Sequence, residues 1–397
     1  MKAEVNSFNL GGLKVIIGKH GCIRCAAELE SAERRKPLIV SDRGIERCGI
    51  TGIVQKSLEE AGIAYEMFLD VESDPCETTV EKALKRFREK NCDAVIGIGG
   101  GSVMDVAKCV RMLCKNEGRI FDYDNSSAGG KKFQNHGEFL ILVPTTAGTG
   151  SEASSYAVIT NEKEGRKATI SSNYIVADVA ILDPELTLEL PKNITAATGM
   201  DALAHAVGAY TSGRVLNAAG DTSLTDMAAC LAMQLIADNL IKAYEDGGNY
   251  KARKNMQLAS FIAAWVACAG SDGCHGLGHA LGGIYHVPHG IACALVMPYI
   301  MEFNADSCPE RMKRIAEIFG EKTEGLDEKA AAKKASEAVR KLSKRLQLPL
   351  LKVFVGDFEK KEEVIQAAQE EKCTKLNPRE LTREKIKSIF ERAYCEK

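Results

Sequence analysis

Short apolar runs alternate with amphipathic stretches along the first half of the chain. Helical periodicity predicts helices over Ile45–Ala61, Val80–Lys90 and Val103–Cys114. Strand and helix alternating in this way predict a mostly parallel sheet covered by helices, which binds ligands at the carboxyl ends of its strands. The predicted strands are Lys14–Ile17, Leu38–Ser41, Tyr65–Asp70, Asp93–Ile98, Phe139–Val143, Tyr156–Thr160 and Val176–Leu182.

The pattern changes after Pro191. Ala, Leu and Met recur at helical spacing from Thr195 onwards, and no segment there alternates as a strand does. The charged stretch Lys322–Leu346 is typical of a solvated helix. We therefore predict an α/β domain with a mostly parallel sheet over residues 1–190 and an all-α domain over residues 191–397.

Composition and charge exclude several classes of partner. The chain has 397 residues, 45% of them hydrophobic and 27% charged, as in globular proteins. With 52 basic and 54 acidic residues the net charge is −2, so no basic excess favours nucleic acid or an anionic membrane surface. The apolar stretches Ser260–Gly270 and Ile291–Met301 are too short to cross a bilayer, and the start of the chain does not resemble a signal peptide.

The cysteines predict a cytoplasmic protein. Fourteen of them are scattered through the predicted helices, which favours reduced thiols over a disulfide scaffold. Cys22 and Cys25 have C-x-x-C spacing. They are either a redox pair or two ordinary thiols near the start of a helix, and we prefer the second interpretation.

A glycine-rich turn joins a buried strand to a helix within Ala94–Lys108. Three consecutive glycines and a serine, Gly99 to Ser102, let backbone N–H groups approach an anion at the positive end of the helix dipole. A tight turn alone would need fewer glycines. We therefore predict that this turn binds the pyrophosphate of a dinucleotide.

A second loop of similar kind, Pro144–Glu152, carries three threonines whose hydroxyls can bind phosphate or ribose: Thr145, Thr146 and Thr149. Its G-x-G-x-x-A is only a weak dinucleotide signature. Asp42 ends an earlier strand, where an acid commonly binds the ribose of NAD. Because this acid precedes the glycines, the unit is not a standard Rossmann fold, and Asp42 could equally be a helix N-cap.

The histidines predict a metal site. Four of the seven lie between Cys274 and Gly290, and His205 follows Asp201 at the i, i+4 spacing that places two side chains on one helix face. On one straight helix His275 and His289 would lie roughly 21 Å apart at about 1.5 Å per residue. Gly282, Gly283 and Pro288 must end that helix, so the chain can turn back. Asp201, His205, His275 and His289 can then converge on Fe²⁺ or Zn²⁺, whereas imidazoles exclude an all-oxygen Mg²⁺ or Ca²⁺ site.

These motifs together resemble the iron-containing alcohol dehydrogenase family over nearly the whole chain. The resemblance is carried by Gly99-Gly-Gly-Ser-x-x-Asp105-x-Ala-Lys108, Pro144-Thr-Thr-Ala-Gly-Thr-Gly-Ser-Glu152, Asp201-x-x-x-His205, His275-Gly-Leu-Gly-His279, Pro288-His289-Gly290 and Asn377-Pro-Arg379. It implies a dinucleotide-binding α/β domain, an all-α metal-binding domain and an active site in the cleft between them. It also implies a dimer or a larger homo-oligomer.

The resemblance also implies roles for single residues. Asp201, His205, His275 and His289 would bind the metal, usually Fe²⁺ and sometimes Zn²⁺, with His279 beside the nicotinamide as proton relay. NAD(H) would be bound by Asp42, Gly99, Gly100, Ser102, Thr145, Thr146, Thr149 and Lys167. The implied reaction is reversible hydride transfer between NAD(H) and a primary alcohol, diol or ω-functional alcohol, with the metal as Lewis acid.

Some positions depart from the family pattern, and two other functions stay open. Ser271–Cys274, which includes Asp272, is polar where relatives have an apolar run, and this is either a polar turn or a pocket for a polar substrate. Asp74 stands where asparagine is common. The first alternative function is an NAD- and metal-using lyase of dehydroquinate-synthase type, although few Lys or Arg surround the histidines. The second is a non-catalytic NAD-binding sensor or assembly protein, which the intact ligand set and His279 argue against.

Overall fold

The computed structural model describes residues 3–124, 130–163 and 166–396. The chain divides into two compact units. The first is Met1–Thr146 with Gly150–Glu189, and the second is Ala147–Thr149 with Leu190–Lys397. The sequence prediction placed one boundary after residue 190 and had no counterpart to the short segment Ala147–Thr149.

The first unit is built on a seven-stranded sheet. Its strand order is β1-β2-β9-β6-β5-β3-β4, in which β1 and β2 are antiparallel and every other pair is parallel, as predicted. β7 and β8 form a separate antiparallel hairpin. The strands are β1 (Glu4–Leu10), β2 (Leu13–Lys19), β3 (Pro37–Val40), β4 (Glu66–Phe68), β5 (Ala94–Gly99), β6 (Phe139–Pro144), β7 (Tyr156–Asn161), β8 (Arg166–Ser171) and β9 (Val179–Leu182).

The central strands were predictable because they are buried along their whole length. Every residue of β3, β5 and β9 is buried, as expected for parallel strands covered on both faces, and such strands appear in sequence as continuous apolar runs. β1 and β8 were not predicted, because their sequences are largely polar. β1 lies at the edge of the sheet and pairs with β2 through a tight turn at Gly11 and Gly12, both with positive φ.

Helices cover the sheet and make up the second unit. Among the residues that the structure describes, five belong to the first unit: α1 (Cys25–Ser31), α2 (Arg43–Arg47), α3 (Ile50–Glu60), α4 (Glu77–Glu89) and α5 (Gly101–Leu113). Twelve more lie in the described part of the second unit: α6 (Lys192–Thr211), α7 (Gly213–Leu216), α8 (Ser223–Glu245), α9 (Tyr250–Ala267), α10 (Gly273–Tyr285), α11 (His289–Asn304), α12 (Pro309–Ile318), α13 (Glu328–Arg345), α14 (Leu351–Val355), α15 (Lys361–Glu370), α16 (Lys372–Lys375) and α17 (Arg383–Tyr394). The second unit has no strand among its described residues, so its predicted all-α character is confirmed.

Among the described residues one helix, α8, is long and apolar enough to cross a membrane by length and composition alone, a feature not noted in the sequence. Core helices of water-soluble proteins pass the same test. One face of α8, with Met233, Ile236 and Leu240, is buried in the apolar core of the second unit, where α8 packs against α6 and α9. The side chains of Leu224 and Met227 on the same helix are exposed.

Candidate functional site

Three helices of the second unit carry the predicted metal ligands. Asp201 and His205 lie one turn apart on α6, His275 and His279 lie one turn apart on α10, and His289 begins α11. Between α10 and α11 the chain reverses, as predicted: α10 ends at Tyr285, and His286 adopts a left-handed conformation with φ 55°. This turn brings His289 back beside the other two helices.

The predicted side chains converge. The ring centroid of His275 lies 4.5 Å from that of His205 and 5.6 Å from that of His289. Asp201 Oδ1 lies 3.3 Å from His289 Nε2 and 3.9 Å from His275 Nε2. The close packing of α6 on α11 depends on Gly290, because a Cβ there would lie 2.1 Å from the carbonyl oxygen of Ala197.

The buried polar atoms of this cluster have the character of metal donors. Both ring nitrogens of His275 and Nδ1 of His205 are buried without a hydrogen-bond partner. Such an unpaired group ordinarily costs about 1–3 kcal/mol, so several side by side call for an explanation. A divalent transition ion supplies one, because imidazole nitrogen and carboxylate oxygen are its usual ligands. The residues therefore fit the metal that the sequence predicted.

Charge and burial set the protonation of the cluster. Burial raises the pKa of Asp201, but the charges of His205 and His289 outweigh burial and hold that pKa well below its usual range. Burial together with the positive charge of neighbouring imidazoles lowers the pKa of His275. Around neutral pH the cluster thus presents a carboxylate and a neutral imidazole, the protonation states that a metal ion requires.

One residue of the cluster was missed in the sequence. Donor atoms of Asp201, His275, His289 and Cys293 all lie within 4.8 Å of one another, whereas His205 is not in this group of four. Cys293 lies one turn after His289 on α11. The i, i+4 spacing that links Asp201 with His205 also links His289 with Cys293. This spacing could have indicated Cys293 as a further candidate ligand from the sequence.

The Cys293 thiol is unusually acidic. Its hydrogen bond with Cys274 and the positive charge of His289 lower its pKa to about 5, although burial opposes this. The pKa of His289 is in turn raised, because the charges of Cys293 and Asp201 outweigh the effect of burial. Each of the two groups thus favours the charged form of the other.

His279 lies beside this cluster. Its ring centroid is 5.2 Å from that of His289 and 6.3 Å from that of His275. Its Nδ1 lies 3.3 Å from Oε2 of Glu371, the residue between α15 and α16. Glu371 was not predicted as a site residue, because no spacing in the sequence connects it to the histidines.

The predicted cofactor residues of the first unit follow three neighbouring strands. Asp42 comes after β3, Gly99 ends β5 and Gly100 follows it, and Thr145 and Thr146 come after β6. Because β3, β5 and β6 are adjacent and parallel, these residues share the carboxyl edge of the sheet. Thr149, by contrast, belongs to the second unit.

The glycine-rich turn opens a helix, as predicted. Gly100 is the N-cap of α5 and has no side chain that could accept hydrogen bonds from the first N–H groups of the helix. These N–H groups can therefore donate to an anion. The hydroxyl of Ser102 donates to the carbonyl oxygen of Ser73. Thr145 Oγ1 is buried without a hydrogen-bond partner.

Asp42 and Lys167, two further predicted cofactor residues, also have protein partners. Asp42 Oδ1 accepts hydrogen bonds from the N–H groups of Gly44, at 2.7 Å, and Ile45, at 3.0 Å, so Asp42 is the N-cap of α2. Both bonds use the same carboxylate oxygen. Lys167 Nζ forms an ion pair of 2.6 Å with Asp74 Oδ1.

Cys22 and Cys25 do not have the character of a redox pair. Both thiols are buried, and burial raises the pKa of each far above its usual range. Reactive cysteines instead have lowered pKa values and are accessible. The structure thus supports the interpretation of two ordinary buried thiols.

Comparison with known proteins identifies the family. The family model described as iron-containing alcohol dehydrogenase matches residues 13–184, and the C-terminal model of the Fe-containing alcohol dehydrogenase family matches residues 195–394. This chain belongs to the iron-containing alcohol dehydrogenase family.

Relatives span nearly the whole chain. The chain is 36% identical over 380 residues to the NAD-dependent methanol dehydrogenase of Bacillus methanolicus, covering 95% of this chain and 97% of that protein. It is 38% identical to the 1,3-propanediol dehydrogenase of Citrobacter freundii, covering 91% and 92% of the two chains. Among solved structures it is similar to a 1,3-propanediol oxidoreductase, with a TM-score of 0.90, 33% identity and coverage of 99% and 100%.

The predicted enzyme class is thereby confirmed. The iron-containing alcohol dehydrogenases are oxidoreductases that act on CH–OH groups with NAD(H) and iron, as the sequence motifs implied. The comparisons give no support to the lyase or to the non-catalytic sensor.

Proposed function

We propose that this enzyme interconverts a small primary alcohol, including a diol or an ω-functional alcohol, and its aldehyde with NAD(H). The observation that carries the proposal is the convergence of Asp201 with a set of imidazoles on α6, α10 and α11. The similarity to a methanol dehydrogenase and a 1,3-propanediol dehydrogenase supports a short alcohol.

We assign the metal to Asp201, His205, His275 and His289. Their unpaired nitrogens and the carboxylate of Asp201 support this assignment. When bound, the metal supplies Lewis acidity towards the substrate oxygen, and NAD(H) supplies the hydride chemistry. The four side chains come from two helices and from the start of a third, so their positions are fixed by the helical core rather than by loops.

His279 is the group that holds and moves the proton. Glu371 lies 3.3 Å from His279 Nδ1 and favours the tautomer with hydrogen on that nitrogen, which leaves the lone pair on Nε2 for the proton of the alcohol. The side chain of Glu371 is 30% exposed and that of His279 18% exposed. The pair therefore connects the buried cluster with solvent, where the proton is released during alcohol oxidation.

We assign NAD(H) to the carboxyl edge of the sheet and the loops that follow it. Gly99, Gly100 and Ser102 bind the pyrophosphate, Thr145, Thr146 and Thr149 lie along the cofactor, and Asp42 and Lys167 bind its riboses. Lys167 must leave Asp74 to do so. This exchange costs little, because a surface ion pair contributes about 0–1 kcal/mol and the side chain of Asp74 is 58% exposed.

We further propose a cytoplasmic homo-oligomer, at least a dimer. β1 lies at the edge of the sheet that the described residues form, so its outer side can pair with the same strand of a second copy. Buried cysteines such as Cys22, Cys25 and Cys293 are free thiols, which suits a reducing compartment. Sedimentation of the purified protein as a monomer would contradict the dimer.

The activity is tested with purified enzyme loaded with Fe²⁺ or Zn²⁺. Short alcohols, diols and ω-functional aldehydes are screened in both directions by the absorbance of NADH. We expect steady turnover with at least one primary alcohol and its aldehyde. Binding of metal and NAD without turnover on any of them would instead favour the sensor.

A further inference from the structure

Two charged side chains, Asp105 and Lys108, lie about one turn apart on α5, the helix that follows the glycine-rich turn. Lys108 is fully buried, although a buried ammonium group is unfavourable unless it is paired and hydrogen-bonded. Neither residue belongs to the metal cluster, and the proposed reaction uses neither of them. Their hydrogen-bond partners show which parts of the chain they hold.

The ammonium group of Lys108 donates to three oxygens, as many as a lysine has hydrogens to donate. Its Nζ lies 3.0 Å from the carbonyl oxygen of Ser154, 3.1 Å from the hydroxyl of the same residue and 2.7 Å from the carbonyl oxygen of Tyr156. Tyr156 is the first residue of β7. Lys108 therefore holds the start of the β7–β8 hairpin, and the residues just before it, against α5.

The carboxylate of Asp105 bonds the same part of the chain with both of its oxygens. Oδ1 accepts a hydrogen bond of 2.6 Å from the hydroxyl of Ser151, and Oδ2 accepts one of 2.9 Å from the backbone N–H of Val158. Ser151 lies near the end of the threonine loop, Pro144–Glu152, and Val158 is the third residue of β7. Asp105 thus joins the end of this loop and the hairpin to α5.

The segments held in this way carry predicted cofactor residues. At the start of the threonine loop, the backbone N–H of Thr145 donates to the carbonyl oxygen of Gly99 at 3.0 Å. The hydroxyl oxygen of Thr145 is buried without a hydrogen-bond partner, which is consistent with a group that binds a ligand. On the hairpin, Lys167 of β8 pairs with Thr160 of β7. The glycine-rich turn, the threonine loop and the hairpin are therefore all tied to one another at α5.

We propose that Asp105 and Lys108 are positioning residues for NAD(H). They fix the threonine loop and the β7–β8 hairpin relative to the start of α5, where the pyrophosphate binds, and they do not themselves contact the cofactor. The inference rests on the proposed function, which assigns NAD(H) to this edge of the sheet. A cofactor that contacts three separate segments binds tightly only when their spacing is fixed in advance, so losing either side chain weakens cofactor binding.

Two variants of Asp105 test the proposal. Asp105→Ala removes both bonds and should raise the Kd of NADH, measured by titration of its fluorescence, by about tenfold or more, because small displacements of remote groups can cost as much. Asp105→Asn should recover most of the affinity, since its carbonyl oxygen can accept from Val158 and its amide can donate to the hydroxyl of Ser151. Metal content and kcat at saturating NAD should change much less than this Kd.

Lys108→Met tests the second side chain with a matched control. Methionine is of similar length but has no hydrogen to donate, so the Kd of NADH should again rise by about tenfold or more. Met112→Ala is the control, because Met112 is equally buried on α5 and takes no part in these bonds. It should lower the urea concentration at the midpoint of unfolding and leave the Kd of NADH unchanged. If Lys108→Met does not fold, the two Asp105 variants decide.

The outcomes separate this inference from the proposed function. Native affinity for NADH in folded Asp105→Ala would overturn the positioning role and leave the proposed function standing, because the native enzyme would still bind NADH and turn over alcohol. An equal rise of the Kd in Met112→Ala would also overturn it, because the effect would then follow from lower stability alone. Failure of the native enzyme to bind NADH would overturn both.

Discussion

His279 Nδ1 lies 3.3 Å from Glu371 Oε2, and the His279 ring centroid lies 5.2 Å from that of His289. His279 shares a face of α10 with His275, but it is not in the group of donor atoms that contains His275. We therefore predict different tasks for two histidines that lie one turn apart: metal binding for His275 and proton transfer for His279.

We therefore expect His279→Ala to lower kcat by about 10²–10⁴-fold, the usual effect of losing a positioned proton-transfer group. Metal content, measured by elemental analysis, should be nearly unchanged. Glu371→Gln should lower the rate less and move the pH profile of kcat, because the amide cannot hold the ring as the carboxylate does. Metal lost in proportion to activity would instead make His279 a ligand.

Substitution of a predicted metal ligand should have a different effect from substitution of His279. His275→Ala or His289→Ala should remove bound metal and nearly all turnover, because each leaves an incomplete, weakly held site. NAD affinity, measured by titration, should change little. His286→Asn provides the matched control, since His286 lies in the left-handed turn, where asparagine is tolerated, and outside the metal group. Stoichiometric metal in the two alanine variants would refute the assignment.

Asp42 predicts a preference for NAD(H) over NADP(H) by at least about tenfold. The 2′-phosphate would be pressed against a carboxylate, and at about 4 Å with an effective dielectric near 20 each unit charge pair repels by roughly 4 kcal/mol before relaxation. A third of that repulsion already gives about tenfold discrimination.

The capping bonds of Asp42 decide which variants test this preference. Asp42→Gly should raise kcat/KM with NADP(H) and also lower stability, because α2 loses its cap. Asp42→Asn should keep the cap and still relax the preference, because asparagine caps well but carries no charge. If kcat/KM for the two cofactors keeps the same ratio in both variants, Asp42 is only a cap.

Replacement of Gly100 tests whether this glycine is needed for the fold or for binding the cofactor. Its φ is −77°, and a Cβ there would come no closer than 3.7 Å to Thr146, so Gly100→Ala should fold with nearly native stability. The added methyl group should nevertheless raise the KM for NAD several-fold, since the start of α5 must be approached closely by the pyrophosphate. Gly52→Ala, in an open position of α3, is the control and should leave this KM unchanged. An unaltered KM in Gly100→Ala would place the pyrophosphate elsewhere.

The buried carboxyl group of Glu152 should make the free energy of unfolding depend on pH. Burial raises its pKa from 4.5 to about 7, and its Oε2 has no hydrogen-bond partner. Between these values the folded state binds a proton that the unfolded state has lost, so the free energy of unfolding should fall as pH rises from about 4.5 to 7. Fully expressed, this contribution is roughly 3 kcal/mol.

Glu152→Gln should remove this pH dependence. The amide matches the protonated carboxyl in size and polarity, so the variant should resemble the native enzyme near pH 5 and be more stable near pH 8. Urea unfolding at both pH values measures the difference. Glu189→Gln, at an exposed glutamate of the same unit, should behave as the native enzyme does. Equal pH dependence in native enzyme and Glu152→Gln would show that Glu152 is ionised in the folded state.

Features that depend on a local pattern could be predicted from the sequence alone. The buried strands β3, β5 and β6 appear as apolar runs because both of their faces are covered, and the glycine-rich turn is visible because its residues are consecutive. The helix break before His289 follows from Pro288 and two glycines. The family motifs, each made of several adjacent residues, also predicted the enzyme class.

Contacts between distant segments could not be predicted from the sequence. The approach of Glu371 to His279 and the ion pair of Lys167 with Asp74 each join residues that no helical or strand period relates. The edge strand β1 escaped prediction for a similar reason, because its largely polar sequence becomes a strand only through its pairing with β2. Local periodicity reports which face of an element is buried, whereas the partner that buries it is chosen by the packing of the whole chain.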